Sequence, residues 1–143
     1  MKTRRLWAAW IAALLLANCG GTHDGPEPIP LDRVNCARCG MLVSSDANAA
    51  QSRAPGEATR FFDDIGCLAA DVASRPAGTA RYVRLASGGW TAADAGWFAL
   101  GHGTRTPMDY GVLAFTTRDE AARADSDGRA RSWADAITYA EAR

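Results

Sequence analysis

The sequence predicts an α+β domain made of two small β-β-α-β lobes packed together and closed by a terminal helix. Short apolar-alternating segments come in pairs ahead of helical stretches, that order occurs twice along the chain, and a Ser-capped segment of helical period ends it. With 143 residues, 48% hydrophobic and 22% charged, the chain supports one shared core and not two independent ones.

In the first lobe, Met41 to Ser44 and Thr59 to Phe62 read as strands around a Ser/Ala/Gly/Pro loop. Asp63 to Ser74 follows as a helix whose leading acids suit an N-terminus, and Arg81 to Leu85 alternates as a strand. Trp97 to Leu100, Val112 to Thr116, a helix from Arg118 to Ala124 and a short strand near Arg129 repeat the order. The repeat puts Met41 and Met108 at comparable places, with a ligand cleft between lobes. Ser132 then caps a last helix to Arg143, with Trp133 and Ile137 on one face at i, i+4.

Residues 1–18 stand apart from this domain. Lys2, Arg4 and Arg5 precede an apolar run from Leu6 to Ala17, long enough for an export signal and too short to span a bilayer. Leu16-Ala17-Asn18-Cys19 resembles the lipobox of bacterial lipoproteins, which makes Cys19 the expected lipidated first residue of the mature chain and the membrane its anchor. Ordinary signal cleavage nearby is the plainer alternative. Residues 19–34 read as a lipidated terminus and flexible linker, since Gly and Pro crowd the stretch from Gly20 to Pro30. His23 is solvated there. The expected location is the bacterial cell envelope, facing the periplasm, with the domain at 35–143.

Charge argues against nucleic acid as a partner: 16 basic residues balance 16 acidic ones, and apart from Arg4-Arg5 the 15 Arg among them are scattered singly, with no block to track a phosphate backbone. Glycines at 88, 89, 101 and 103 lack the strand-Gly-helix order of a phosphate loop. No Ser/His or Cys/His arrangement makes a nucleophile, and the chain is not expected to be an enzyme.

Asn35-Cys36-Ala37-Arg38-Cys39-Gly40-Met41 carries the most chemistry. A C-x-x-C serves a zinc half-site, a redox pair or a soft-metal site, and a Cys36–Cys39 disulfide is the plain structural alternative. Zinc needs four ligands, and no second pair exists among Cys67, His23 and His102. A redox C-x-x-C opens a helix, whereas Gly40-Met41-Leu42-Val43 looks like the start of a strand. In an extended segment Cys39 and Met41 emerge on the same face, and thiolate with thioether selects Cu(I). Apart from the initiator the only other methionine is Met108, in the turn Thr106-Pro107-Met108-Asp109-Tyr110-Gly111, and neither is placed as a core filler.

These two segments, with Phe61-Phe62-Asp63-Asp64-Ile65-Gly66-Cys67 between them, resemble the NosL family of lipid-anchored copper(I) proteins that help assemble the copper centres of nitrous oxide reductase. The likeness runs from about Asn35 to about Phe115 and extends to the signal-plus-lipobox start. It implies two similar β-β-α-β units, Cu(I) held by Cys and Met donors, and delivery of that copper to an apo-enzyme partner without catalysis. Carried over residue by residue, the metal ligands are Cys39, Met41 and Met108, with Cys36.

Other residues read more plainly. Asp63 and Asp64 serve the helix dipole, and Cys67 within the helix is a small buried hydrophobe. His102, flanked by Gly101 and Gly103, is the only histidine of the domain; it is a solvated loop residue or an imidazole brought to a sulfur-bound Cu(I). The competing functions are a thiol-disulfide oxidoreductase using Cys36 and Cys39, and a lipoprotein that presents a surface to a partner and binds no metal.

Overall fold

Ala50–Arg53, a strand of small and polar residues, is the middle of the first sheet. The computed structural model describes residues 25–101 and 103–143; the signal segment 1–18, Cys19, His23 and His102 lie outside the described residues. This strand, β1, pairs antiparallel with β2 (Arg60–Phe62) on one side and with β3 (Ala80–Arg84) on the other. β4 (Trp90–Ala92) extends the sheet past β3, giving the order β2-β1-β3-β4. Between β2 and β3 runs α1 (Ile65–Asp71), finished by a tighter turn over Val72–Ser74.

The second lobe repeats that plan. β5 (Trp97–Leu100) pairs antiparallel with β6 (Val112–Phe115), and Phe98 bridges Arg131 on its other edge. α2 (Arg118–Ala124) lies between those two partners. The first strand of each lobe therefore sits between its second and third. The terminal helix α3 (Trp133–Glu141) follows.

Local sequence explains the helix boundaries. Thr117 with Glu120 and Ser132 with Asp135 each form a reciprocal capping box at the starts of α2 and α3, satisfying donors that a helix end leaves unpaired. The Asp64 carboxylate caps α1 by accepting from Gly66 N at 2.8 Å.

One core serves both lobes. Phe62, Ile65, Leu68 and Val83 from the first pack in a single cluster with Phe98 and Val112 from the second and Trp133, Ala136 and Ala140 of α3. The Phe98 and Trp133 rings stand 5.4 Å apart, a separation at which aromatic pairs attract. A parallel bridge between Leu85 and Ala114 joins the lobes through the backbone. Ile137 packs against this core beside Trp133, as the spacing of α3 predicts.

Three expectations change. The segment from Met41 to Ser44 forms no sheet strand; Leu42 makes one isolated bridge to Asn35, and the first strand is Ala50–Arg53. Met41 therefore precedes its lobe, whereas Met108 lies between the two strands of the second, and the two methionines do not occupy comparable places. The stretch read as linker up to residue 34 is docked from Glu27 onward. Glu27 exchanges backbone hydrogen bonds with the Gln51 amide at 2.8 and 2.9 Å, its carboxylate accepts from Thr59 Oγ1 and pairs with Arg53, and Ile29 and Val34 pack against the core. Gln51 is buried, so its amide needs these partners.

Candidate metal centre

Cys36 opens a tight turn. Gly40 N donates to Cys36 O at 2.9 Å and Cys36 N to Met41 O at 2.7 Å, so residues 36–41 fold back on themselves. Gly40 makes this possible by taking φ +78°, a region closed to most side chains. The turn docks on the free edge of β2 through Ala37 N donating to Phe61 O at 2.8 Å. β2 then runs directly into Asp63, the Asp64 cap, and Cys67 in the first turn of α1.

Four donors converge as a result. Single ligand atoms of Cys36, Cys39, Cys67 and Asp63 all lie within 4.8 Å of one another. Cys36 is 2% exposed, Cys67 1% and Asp63 4%, while Cys39 is half-buried and the most exposed of the four. All three cysteines are free thiols. The Cys39 sulfur lies 3.6 Å from Asp63 Oδ1.

The sulfurs are electrostatically unequal. The neighbouring Cys67 thiol first, and backbone N–H groups of Cys39, Asp63 and Arg38 after it, pull the Cys36 pKa down against the opposing effect of burial. Of the three sulfurs Cys36 is therefore the one most disposed to lose its proton. The Cys36 neighbour first, and burial second, push Cys67 up. Burial also raises Cys39, with the Cys36 charge adding to the effect. Asp63 rises to about 6, through burial first and its Cys36 neighbour second. Among the described residues no basic side chain forms a salt bridge with Asp63. Sulfurs and a carboxylate held out of solvent together, with no salt bridge to the carboxylate, form a donor set that a metal ion would satisfy.

The group can hold a metal ion. No family model matches the chain, and no curated protein and no solved structure matches it. Metal identity is not fixed by the donor set alone, because three sulfurs and a carboxylate complete four positions. The expectation that zinc finds no fourth ligand does not survive: β2 and α1 bring Cys67 and Asp63, distant in the sequence, to the C-x-x-C turn.

The sequence-predicted ligands fall in different places. Cys36 and Cys39 belong to the cluster. Met41 is 52% exposed while Cys39 is half-buried, since the segment is a turn and not an extended strand. Met108 is partly buried against the core, contrary to the expectation that it fills none. Its turn is fastened to α1, with Met108 N donating to Asp64 Oδ2 at 2.9 Å.

Cys67, read from sequence as a small core hydrophobe, is a member of the cluster, and Asp63 does more than favour a helix dipole. Asp64 is fully buried and accepts from Gly66, Asn48, Thr106 and Met108. The scarcity of cysteine was the available signal: every cysteine of the described residues is in this one group.

Proposed function

We propose that this protein is a Cu(I)-binding lipoprotein of the bacterial envelope, anchored through Cys19 and facing the periplasm, that hands copper to an apo-enzyme partner. Copper is its cargo and no turnover is involved. The observation that carries the reading is the convergence of the Cys36, Cys39 and Cys67 sulfurs with Asp63 within 4.8 Å. Three thiol sulfurs are the donor set that soft Cu(I) prefers. In this reading Met108 adds a thioether from the second lobe, exposed Met41 follows the half-buried Cys39 two residues on, and His102 is a candidate further donor. The resemblance to the NosL family makes nitrous oxide reductase the proposed acceptor. Among the described residues no helix is long and apolar enough to cross a membrane, and membrane attachment in this proposal comes from the lipid.

The oxidoreductase reading is weaker on physical grounds. Catalytic thiols are accessible thiolates, whereas here the low-pKa sulfur, Cys36, is buried and the accessible one, Cys39, has its pKa raised. Zinc is the competitor that the carboxylate admits. Titration of the reduced full-length protein in detergent with Cu(I) and Zn(II) in competition decides between them. One Cu(I) per chain, held against excess Zn(II) and lost in Cys36→Ser and Cys39→Ser, is expected. Retention of Zn(II) against Cu(I), or binding that survives both substitutions, refutes the proposal.

A further inference from the structure

We propose that Asp64 is a positioning residue for the metal site, gripping Cys67 and Met108 at once and so coupling the second lobe to the bound ion. The inference rests on the reading of Met108 as a thioether donor. The Oδ1 of Asp64 belongs to the first lobe, accepting from Gly66 N at 2.8 Å and Asn48 Nδ2 at 3.4 Å. Its backbone carbonyl accepts from Cys67 N at 3.0 Å. Its Oδ2 belongs to the second lobe, accepting from Thr106 Oγ1 at 2.6 Å and Met108 N at 2.9 Å.

A helix cap needs only the first of these oxygens. The second has no capping task; its two partners lie 42 and 44 residues away in sequence. They are donors of one rigid turn. Asp109 N closes it on Thr106 O at 2.9 Å, Pro107 fixes its second residue, and Thr106 Oγ1 accepts from Gly111 N at 3.0 Å while donating to Asp64. The Tyr110 ring lies flush on Gly66, leaving no room there for a side chain. From the Met108 backbone to the Cys67 backbone the path is one buried residue, adjacent in sequence to Asp63 of the cluster.

Asp64→Asn replaces one carboxylate oxygen by an N–H₂ group. With Oδ1 kept on Gly66, that group faces Met108 N donor to donor, and the turn is released while the α1 cap remains. Thr106→Val removes the hydroxyl link without touching the α1 cap, and Thr106→Ser keeps the hydroxyl.

The test is Cu(I) affinity, measured by competition with a chromogenic Cu(I) chelator, in the full-length protein and in Asp64→Asn, Met108→Leu and their combination. Asp64→Asn should weaken affinity by about 10- to 100-fold, the usual effect of losing an orienting partner, Met108→Leu should weaken it at least as much, and the combination should be no weaker than Met108→Leu alone. Copper-edge X-ray absorption should lose one sulfur neighbour in Asp64→Asn. Thr106→Val should behave like Asp64→Asn and Thr106→Ser like the native protein, which carries the test should Asp64→Asn fail to fold. An equal loss from Asp64→Asn, or from Thr106→Val, in the native and Met108→Leu backgrounds overturns the positioning role alone. An unchanged affinity in Met108→Leu overturns both that role and the thioether donor.

Discussion

Gly66→Ala sets two well-known effects against each other. Helix propensity favours alanine over glycine by up to about 1 kcal/mol, so an isolated α1 gains from the change. In the folded protein, however, the new Cβ would stand 2.0 Å from Tyr110 Cγ, 2.3 Å from its Cβ and 2.5 Å from its Cδ2. Comfortable carbon contacts lie at about 3.5–4.0 Å, so the tyrosine must retreat by about 1.5 Å. Ring rotation gives no escape, because the Tyr110 Cβ is itself one of the three atoms. The whole turn from Thr106 to Gly111 has to shift, straining the bonds that fasten it to Asp64. Overpacking of this kind costs about 1–3 kcal/mol, and a clash this deep belongs at the upper end. After the propensity gain, the net loss should be about 2 kcal/mol. Urea unfolding of the reduced, metal-free protein measures it as a lower midpoint at unchanged slope. Tyr110→Gly removes all three clashing atoms, so in that background Gly66→Ala should be neutral or stabilising. A native Tyr110 protein unaffected or stabilised by Gly66→Ala would show that the turn does not press on α1, and the inter-lobe account would fail.

Alkylation of the folded, metal-free protein should reach Cys39 first, at a rate still rising with pH between 7 and 9 because its pKa is raised; earlier modification of Cys36 would contradict its burial. Asp63, raised from 3.8 to about 6, holds its proton more tightly folded than unfolded, so its contribution to stability declines as pH rises from about 4 through about 6. Asp63→Asn should therefore gain stability relative to the native protein across that window, measured by paired unfolding curves, and a difference independent of pH would refute the assignment. Loss of either capping box, by Thr117→Ala or Ser132→Ala, should lower unfolding stability by about 1 kcal/mol. A loss of both Cu(I) binding and fold in these cap variants would mean that the site depends on more of the structure than α1 and the 36–41 turn.

The second lobe was legible because its signals are local. Trp97–Leu100 and Val112–Phe115 are short apolar runs between turn residues, and α2 and α3 begin at Thr-x-x-Glu and Ser-x-x-Asp boxes that satisfy their own first donors. The middle strand of the first lobe was not. Ala50-Gln51-Ser52-Arg53 has no β-branched or aromatic residue, and it is extended because two neighbouring strands pair with it and Glu27 satisfies the Gln51 amide. β4 escaped the sequence reading as well, since Trp90-Thr91-Ala92 is too short to show a period.

The same contrast divides the metal centre. Cys36 and Cys39 announce themselves by spacing, a local property. Cys67 looks like any small helical hydrophobe, and its membership depends on β2 lying beside the 36–41 turn, a tertiary pairing through Ala37 and Phe61. Asp64 was readable as an acid at a helix start. Its hold on Thr106 and Met108 spans the two lobes and could emerge only from the packed structure.

Copper-edge X-ray absorption of the Cu(I)-loaded full-length protein, with and without Cys67→Ser, tests the central claim most directly. The account predicts a first shell of sulfur that includes all three cysteines and loses one sulfur in Cys67→Ser, with a matching fall in affinity. A shell and an affinity left unchanged by Cys67→Ser would contradict it, and would place the ion on the C-x-x-C turn alone.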